Sequence, residues 1–168
     1  MAYDSDYLFC DDLGNEFADY ISVRNPTSIS FYHAKYSTSQ MSASAFHEVV
    51  GQALKNIGNM NINISQLNAK KMRWSSYYND TKIALKRIGD TVENGASCYL
   101  KALNHPNSLN HIYLVVNYLS KAELTEELNK LKNKISTRSQ VIQLFWLLSS
   151  FISMCKELGI QAHIICKP

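Results

Sequence analysis

The chain has 168 residues, 46% of them apolar and 18% charged, which suits one domain with its own core and excludes a disordered or membrane class. A formal net charge of +3 permits contact with nucleic acid without demanding it. The four cysteines, Cys10, Cys98, Cys155 and Cys166, show no CxxC spacing, so no zinc ribbon or disulfide framework is indicated, and buried thiols in a reducing compartment are expected. No basic and apolar leader opens the chain, and the greasiest window, Val141 to Ile160, is broken by Gln143, Ser149, Ser150, Ser153, Lys156 and Glu157. A cytoplasmic protein without a membrane span follows from this.

Tyr7 to Cys10 is a short apolar run that predicts a first strand, ending in the acidic turn Asp11-Asp12-Leu13-Gly14-Asn15. Phe17 to Val23 and Ser28 to Tyr36 are rich in β-branched and aromatic residues and flank the turn-like Arg24-Asn25-Pro26-Thr27, so they read as a β-hairpin. Alternation along its second strand sets Ile29, Phe31, His33 and Lys35 on one face and Ser28, Ser30, Tyr32 and Ala34 on the other. A hairpin loop of about three residues then puts Asp19 opposite His33 and diagonally within reach of Lys35.

Ser42 and Ser44 are candidate caps for a helix that turns Phe46, Val49, Val50, Ala53, Leu54 and Ile57 to the core. Glu48, Gln52 and Lys55 share its opposite face, beside a Gly51 that would permit close backbone approach. Asn61 to Arg87 is basic and aromatic and reads as helical pieces; Asp90 to Gly95 reads as a loop. His111 to Leu119 predicts a strand buried on both faces, Lys121 to Ile135 an exposed charge-laced helix, and Arg138 to Leu158 a helix apolar nearly all round and buried against a sheet. Gly159 ends that helix before a last strand, Ile160 to Cys166. The fold class is therefore α/β, with a mixed central sheet of about five strands flanked by helices and residues 1–168 in a single domain.

Hydrolysis of a phosphodiester calls for a divalent cation held by carboxylates and for a cation such as lysine beside the attacking water. Asp19, Lys35 and Glu48 supply these parts from adjacent predicted elements. The pattern resembles the PD-(D/E)xK nuclease superfamily, in which an acid at one strand start is followed by an acid-x-lysine on the next strand. Asp19 matches the first acid and Lys35 the lysine, while His33 stands where the middle acid is expected. Some restriction enzymes of the superfamily carry the missing carboxylate on the following helix, and Glu48 lies with 12 residues between it and Lys35. The resemblance implies a restriction-endonuclease-like fold, Mg2+ or Mn2+ held by Asp19 and Glu48 with Glu16 as a further ligand, and a site completed by Lys35, His33 and Gln52. DDLGNEFADYI, with the downstream HAK and HEVVGQALKN, is also similar to nuclease-type domains of bacterial phage-defence systems, some attached to helicases. That similarity spans roughly residues 8 to 60. It implies antiviral defence, a DNA substrate, and a helicase, another defence subunit or a fused domain as partner, with a homodimer also compatible.

Other readings stand beside this one. Glu48, Gln52 and Lys55 also suit the solvated face of a surface helix, Lys35 an edge-strand gatekeeper, His33 a core histidine, and Asp11, Asp12 and Glu16 the shaping of a turn. Lys70, Lys71, Arg73, Lys86 and Arg87, interleaved with Trp74, Tyr77 and Tyr78, are candidates for gripping phosphates, or else a solvated face with core aromatics. Rival functions are an inactive nuclease-like module that binds nucleic acid or a partner protein, and a thiol hydrolase built from Cys10, His33 and Asp12.

Overall fold

The computed structural model describes residues 4–168. Strands β1 (Tyr7–Cys10), β2 (Tyr20–Arg24) and β3 (Ser28–Lys35) form an antiparallel meander. Helix α1 (Ala43–Asn56), a 3-10 turn (Ile57–Met60), α2 (Ile64–Trp74), the short β4 (Lys86–Ile88) and α3 (Val92–Asn104) follow. The chain then runs through β5 (Leu109–Ser120), α4 (Lys121–Lys132), α5 (Ser139–Glu157) and β6 (Ile160–Lys167). The sheet has six strands in the order β4-β1-β2-β3-β5-β6, with β5 parallel to β3 and β6 parallel to β5. This is the α/β, helix-flanked mixed sheet expected from the sequence. Its extra strand is β4, three residues that pair antiparallel with β1 at the sheet edge.

The hairpin register pairs Tyr20 with Tyr32 and Val23 with Ile29, as alternation predicts. Its first strand starts at Tyr20 rather than Phe17, because the Phe17 amide donates to Asp11 Oδ2 at 2.8 Å instead of joining the ladder. Helix α1 is capped by Ser42, whose side chain accepts from the Ala45 amide at 3.2 Å, and it buries Phe46, Val49, Val50 and Ala53. The stretch predicted as a loop from Asp90 to Gly95 is instead the start of α3, where Thr91 caps the Asn94 amide. Gly95 reads as a breaker in isolation, yet it lies inside α3 because a Cβ there would collide with the Phe9 ring and meet Tyr7 Cδ1 at 2.8 Å. Gly51, by contrast, has open space around it, so the close approach expected there does not occur.

Every second side chain of the sheet faces the helices. Phe9, Ile21, Phe31 and Ile112 form one fully buried row across β1, β2, β3 and β5. Trp74 of α2 stacks on Phe9 at 4.2 Å, Gly95 of α3 lies against the same ring, and α5 packs on both α1 and β6. The expectation that α5 is buried all round fails: Val141, Leu144, Phe151 and Cys155 are buried, whereas Trp146 is 71% exposed and Ile152, Met154 and Leu158 are also exposed. β5 is likewise buried mainly on its helix-facing side, at Ile112, Leu114, Val116 and Tyr118; on its other side His111, Tyr113, Val115 and Asn117 are half-buried, and Leu119 is buried. No helix among the described residues is long and apolar enough to cross a membrane.

Candidate functional site at the Lys35 end of the sheet

Asp19 sits one residue before β2, and the ladder continues through it, its amide donating to the Tyr32 carbonyl at 3.0 Å. Its Oδ2 accepts from the Ala34 amide at 2.5 Å, which pins the carboxylate beside β3 at the place the hairpin register implies. Lys35 closes β3 on the helix side and forms an ion pair with Glu48 of α1. Both side chains are substantially exposed, so the pair contributes roughly 0–1 kcal/mol to stability, and its main content is positional. One turn further along α1, Gln52 Nε2 donates to Glu16 Oε1 at 3.2 Å, tying the acidic turn to the helix. Strand end, helix face and acidic turn thus converge.

Burial pushes the Asp19 carboxyl above its ordinary range; the Ala34 N–H pulls it down, and Asp12 and Glu16 push it up. Asp19 and Lys35 line one open cavity of about 640 Å3 with Asp12, Tyr20, Tyr36, Asn117 and Lys167, floored by Ala34, Val115 and Ile165. Among the described residues, no three His, Cys, Asp or Glu side chains are gathered closely enough to ring a metal ion. The donor chemistry nevertheless suits a hard divalent cation: Asp12 and Glu16 stand near enough for their charges to raise the Asp19 pKa, an effect smaller than that of its burial, and a cation would offset that repulsion. Mg2+ keeps several waters and takes only one or two carboxylates.

His33 faces the helices with Lys35, but it is 1% exposed, and its Nε2 has no hydrogen-bond partner. Desolvation lowers its pKa to about 4, so at neutral pH it is an uncharged ring under α1 and does not replace the acid expected at that position. Tyr118 escapes a reading of the sequence because it ends an apolar run. It lies on the helix-facing side of β5, fully buried, its hydroxyl also unpartnered, and burial together with the Glu48 charge raises its pKa. Only the parallel register, which pairs Lys35 with Val116, brings it towards α1, and nothing local in the sequence announces that pairing.

The basic segment does not form one surface. Lys70 is buried, with its ammonium 2.5 Å from Asp11 Oδ2, 2.9 Å from the Asn15 carbonyl and over the Phe17 ring. Asp11 is fully buried and also accepts from Trp74 Nε1 at 2.9 Å. The Arg73 guanidinium donates to the Gly14 carbonyl, and Lys86 to the Gly89 carbonyl at 2.6 Å. Lys70 and Arg73 therefore clamp the acidic turn to α2, and Lys71 is half-buried on the same helix. Arg87 lies near Tyr20 and Tyr78, whose hydroxyl pKa values are raised, that of Tyr20 chiefly by burial and that of Tyr78 chiefly by the Asp12 charge, with the Arg87 charge opposing the rise. Cys10 pairs with Tyr20, which pairs with Tyr32, so it projects from the sheet face opposite His33 and the two form no nucleophile–base dyad.

Compared with known proteins, the chain matches no family model, no curated protein and no solved structure.

Proposed function

We propose that the chain is a metal-dependent endonuclease of PD-(D/E)xK type, hydrolysing phosphodiesters of DNA in bacterial defence, with Mg2+ or Mn2+ held by Asp19 and Glu48 and Glu16 nearby. The observation that carries the reading is the Lys35–Glu48 contact that joins β3 to α1, with Lys35 and Asp19 lining one cavity. The order of elements supports it: an antiparallel meander, a helix carrying the displaced carboxylate, and a further strand parallel to β3. The cation, when bound, supplies positive charge against the charge that builds on the phosphoryl oxygens. In the hydrolysis, a water oxygen bonds to phosphorus, the bond to the leaving alkoxide oxygen breaks, and that oxygen takes up a proton. Lys35 holds the attacking water by its ammonium and stabilises negative charge developing beside it. Gln52 keeps Glu16 and the acidic turn against α1.

The expected result with supercoiled plasmid is nicking that depends on Mg2+ or Mn2+. Lys35→Ala and Glu48→Ala each lose about 100-fold or more in rate while melting like the native protein. If Glu48→Ala cuts normally, the helix carboxylate is not a ligand.

One observation favours a second reading, a nuclease-like module that binds nucleic acid or a partner without cutting. A buried neutral histidine occupies the middle acid position. Absence of nicking by the native chain, alone and with a helicase or other defence partner, would select it.

A further inference from the structure

Helix α5 turns one side to the core and leaves the other in solvent. Val141, Leu144, Phe151 and Cys155 are buried, and the helix packs on α1 and β6. The opposite side carries, in order, Arg138 at the N-cap, Ile142, Trp146, Ser149, Ser153 and Glu157, all exposed. A solvated helix face is normally charged, yet no Asp, Glu, Lys or Arg occurs from Ser139 to Cys155. An exposed apolar patch rimmed by charge marks a surface that docks. Grooves flank this ridge on both sides, one towards α1 beside Ser44 and His47, the other towards α4 beside Leu128 and Leu131.

Size and residue order together identify the occupant. With α5 about 28 Å long and helices spaced about 8–10 Å apart, α4, α5 and α1 present a face of roughly 700 Å2, close to the area each partner gives to a standard interface. The exposed residues are also self-complementary. Lay a second α5 antiparallel on the first, with the two-fold axis level with the Leu147–Leu148 peptide. Trp146 then faces Ser149 of the second copy, Ile142 faces its Ser153, and Arg138 faces its Glu157, each contact occurring twice. One register thus sets each large side chain over a small one and each charge over its opposite. Among the described residues, neither Arg138 nor Glu157 has an ion-pair partner within the chain. Antiparallel alignment also places the positive N-terminal end of each helix beside the negative C-terminal end of the other. A lipid surface would call instead for Lys and Arg along the helix, and α5 has none before Lys156.

We infer that α5 is a homodimerisation surface, on which two copies of this chain meet through antiparallel α5 helices with Trp146 packed beside the two-fold axis and Arg138 paired with Glu157 at each end. The pairing is independent of the nuclease reading.

The test is sedimentation velocity of the full chain across a dilution series, with tryptophan emission read in parallel. The native chain sediments as a dimer that dissociates on dilution, and its emission shifts to the red as Trp146 meets water, the other tryptophan, Trp74, being buried within the core. Trp146→Ala sediments as a monomer. Arg138→Glu and Glu157→Arg each weaken dimerisation about 10-fold, and the double variant, with the two charges exchanged, returns to near-native association. All three side chains are exposed, so these variants melt like the native chain; if Trp146→Ala nevertheless fails to fold, the charge exchange keeps the test valid. A native chain that stays monomeric throughout, a dimer untouched by Trp146→Ala, or a double variant no better than the single ones would each overturn the pairing. So would a monomer whose emission shifts only when phosphatidylcholine vesicles are added, which would give the face to a lipid surface.

Discussion

Two side chains two positions apart on β3 show how far environment divides residues that alternation treats alike. Lys35 reaches the rim and meets Glu48; His33, on the same face, is sealed under α1 with an unpartnered Nε2. With its folded-state pKa lowered to about 4 from an ordinary 6.5, His33 takes up a proton more readily in the unfolded chain. The folded form is therefore favoured above about pH 6.5, and that contribution is lost progressively as pH falls towards 4. Between pH 7 and pH 5 the native chain should lose on the order of 2 kcal/mol through this group. Urea unfolding at both pH values should show that loss in the native protein and a clearly smaller one in His33→Leu; equal losses would mean that His33 is not the responsible group. The shared direction of His33 and Lys35 is readable from strand period alone, and so is the position of Asp19. That one of the pair is buried is not, because it depends on how closely α1 lies over β3.

At the scale of elements, local signals decide well where a cap or a hydrophobic stripe is present. Ser42 and the Phe46–Val49–Val50–Ala53 stripe make α1 legible, and Gly159, with a φ of 69°, ends α5 as expected. They fail where tertiary packing overrules them. Gly95 reads as a break, but its missing Cβ is what lets α3 lie on Phe9, whose ring is itself held against Trp74. Gly95→Ala should therefore destabilise by about 1–3 kcal/mol, since neither ring has room to retreat. Gly51 occupies an equally helical position with nothing near it, and Gly51→Ala should stabilise by about 0.4–1 kcal/mol by restricting the unfolded chain. Chemical denaturation midpoints of the two variants should move in opposite directions; a shared direction would refute this account of α3 packing. The clamp of Lys70 and Arg73 on the acidic turn was equally out of sight, because a basic run looks the same whether its charges face solvent or a buried Asp11.

For the whole molecule, the strands of the meander and the two long later strands could be read from their β-branched and aromatic content, while their spatial order could not. The parallel pairing of β3 with β5 joins segments separated by three helices, and no turn chemistry specifies it. β4 is three residues long and carries no period, so it is visible only as the edge partner of β1. This architecture predicts an uneven distribution of stability. β2, β3 and β5 are paired on both sides and back onto the buried row, so their amides open only with the whole domain. α4 has no fully buried residue: half-buried Leu124 packs against the core, Ser120 caps the helix start, and the bridges from Lys130 to Glu126 and Glu127 run within the helix, worth tenths of a kcal/mol each. Hydrogen exchange followed by mass spectrometry should find α4 and β4 exchanging early by local opening, β6 later, and β3 and β5 last. Protection of α4 equal to that of β5 would show that the helix unfolds only with the core, and its surface contacts would then have to couple to α5 far more strongly than exposed pairs do.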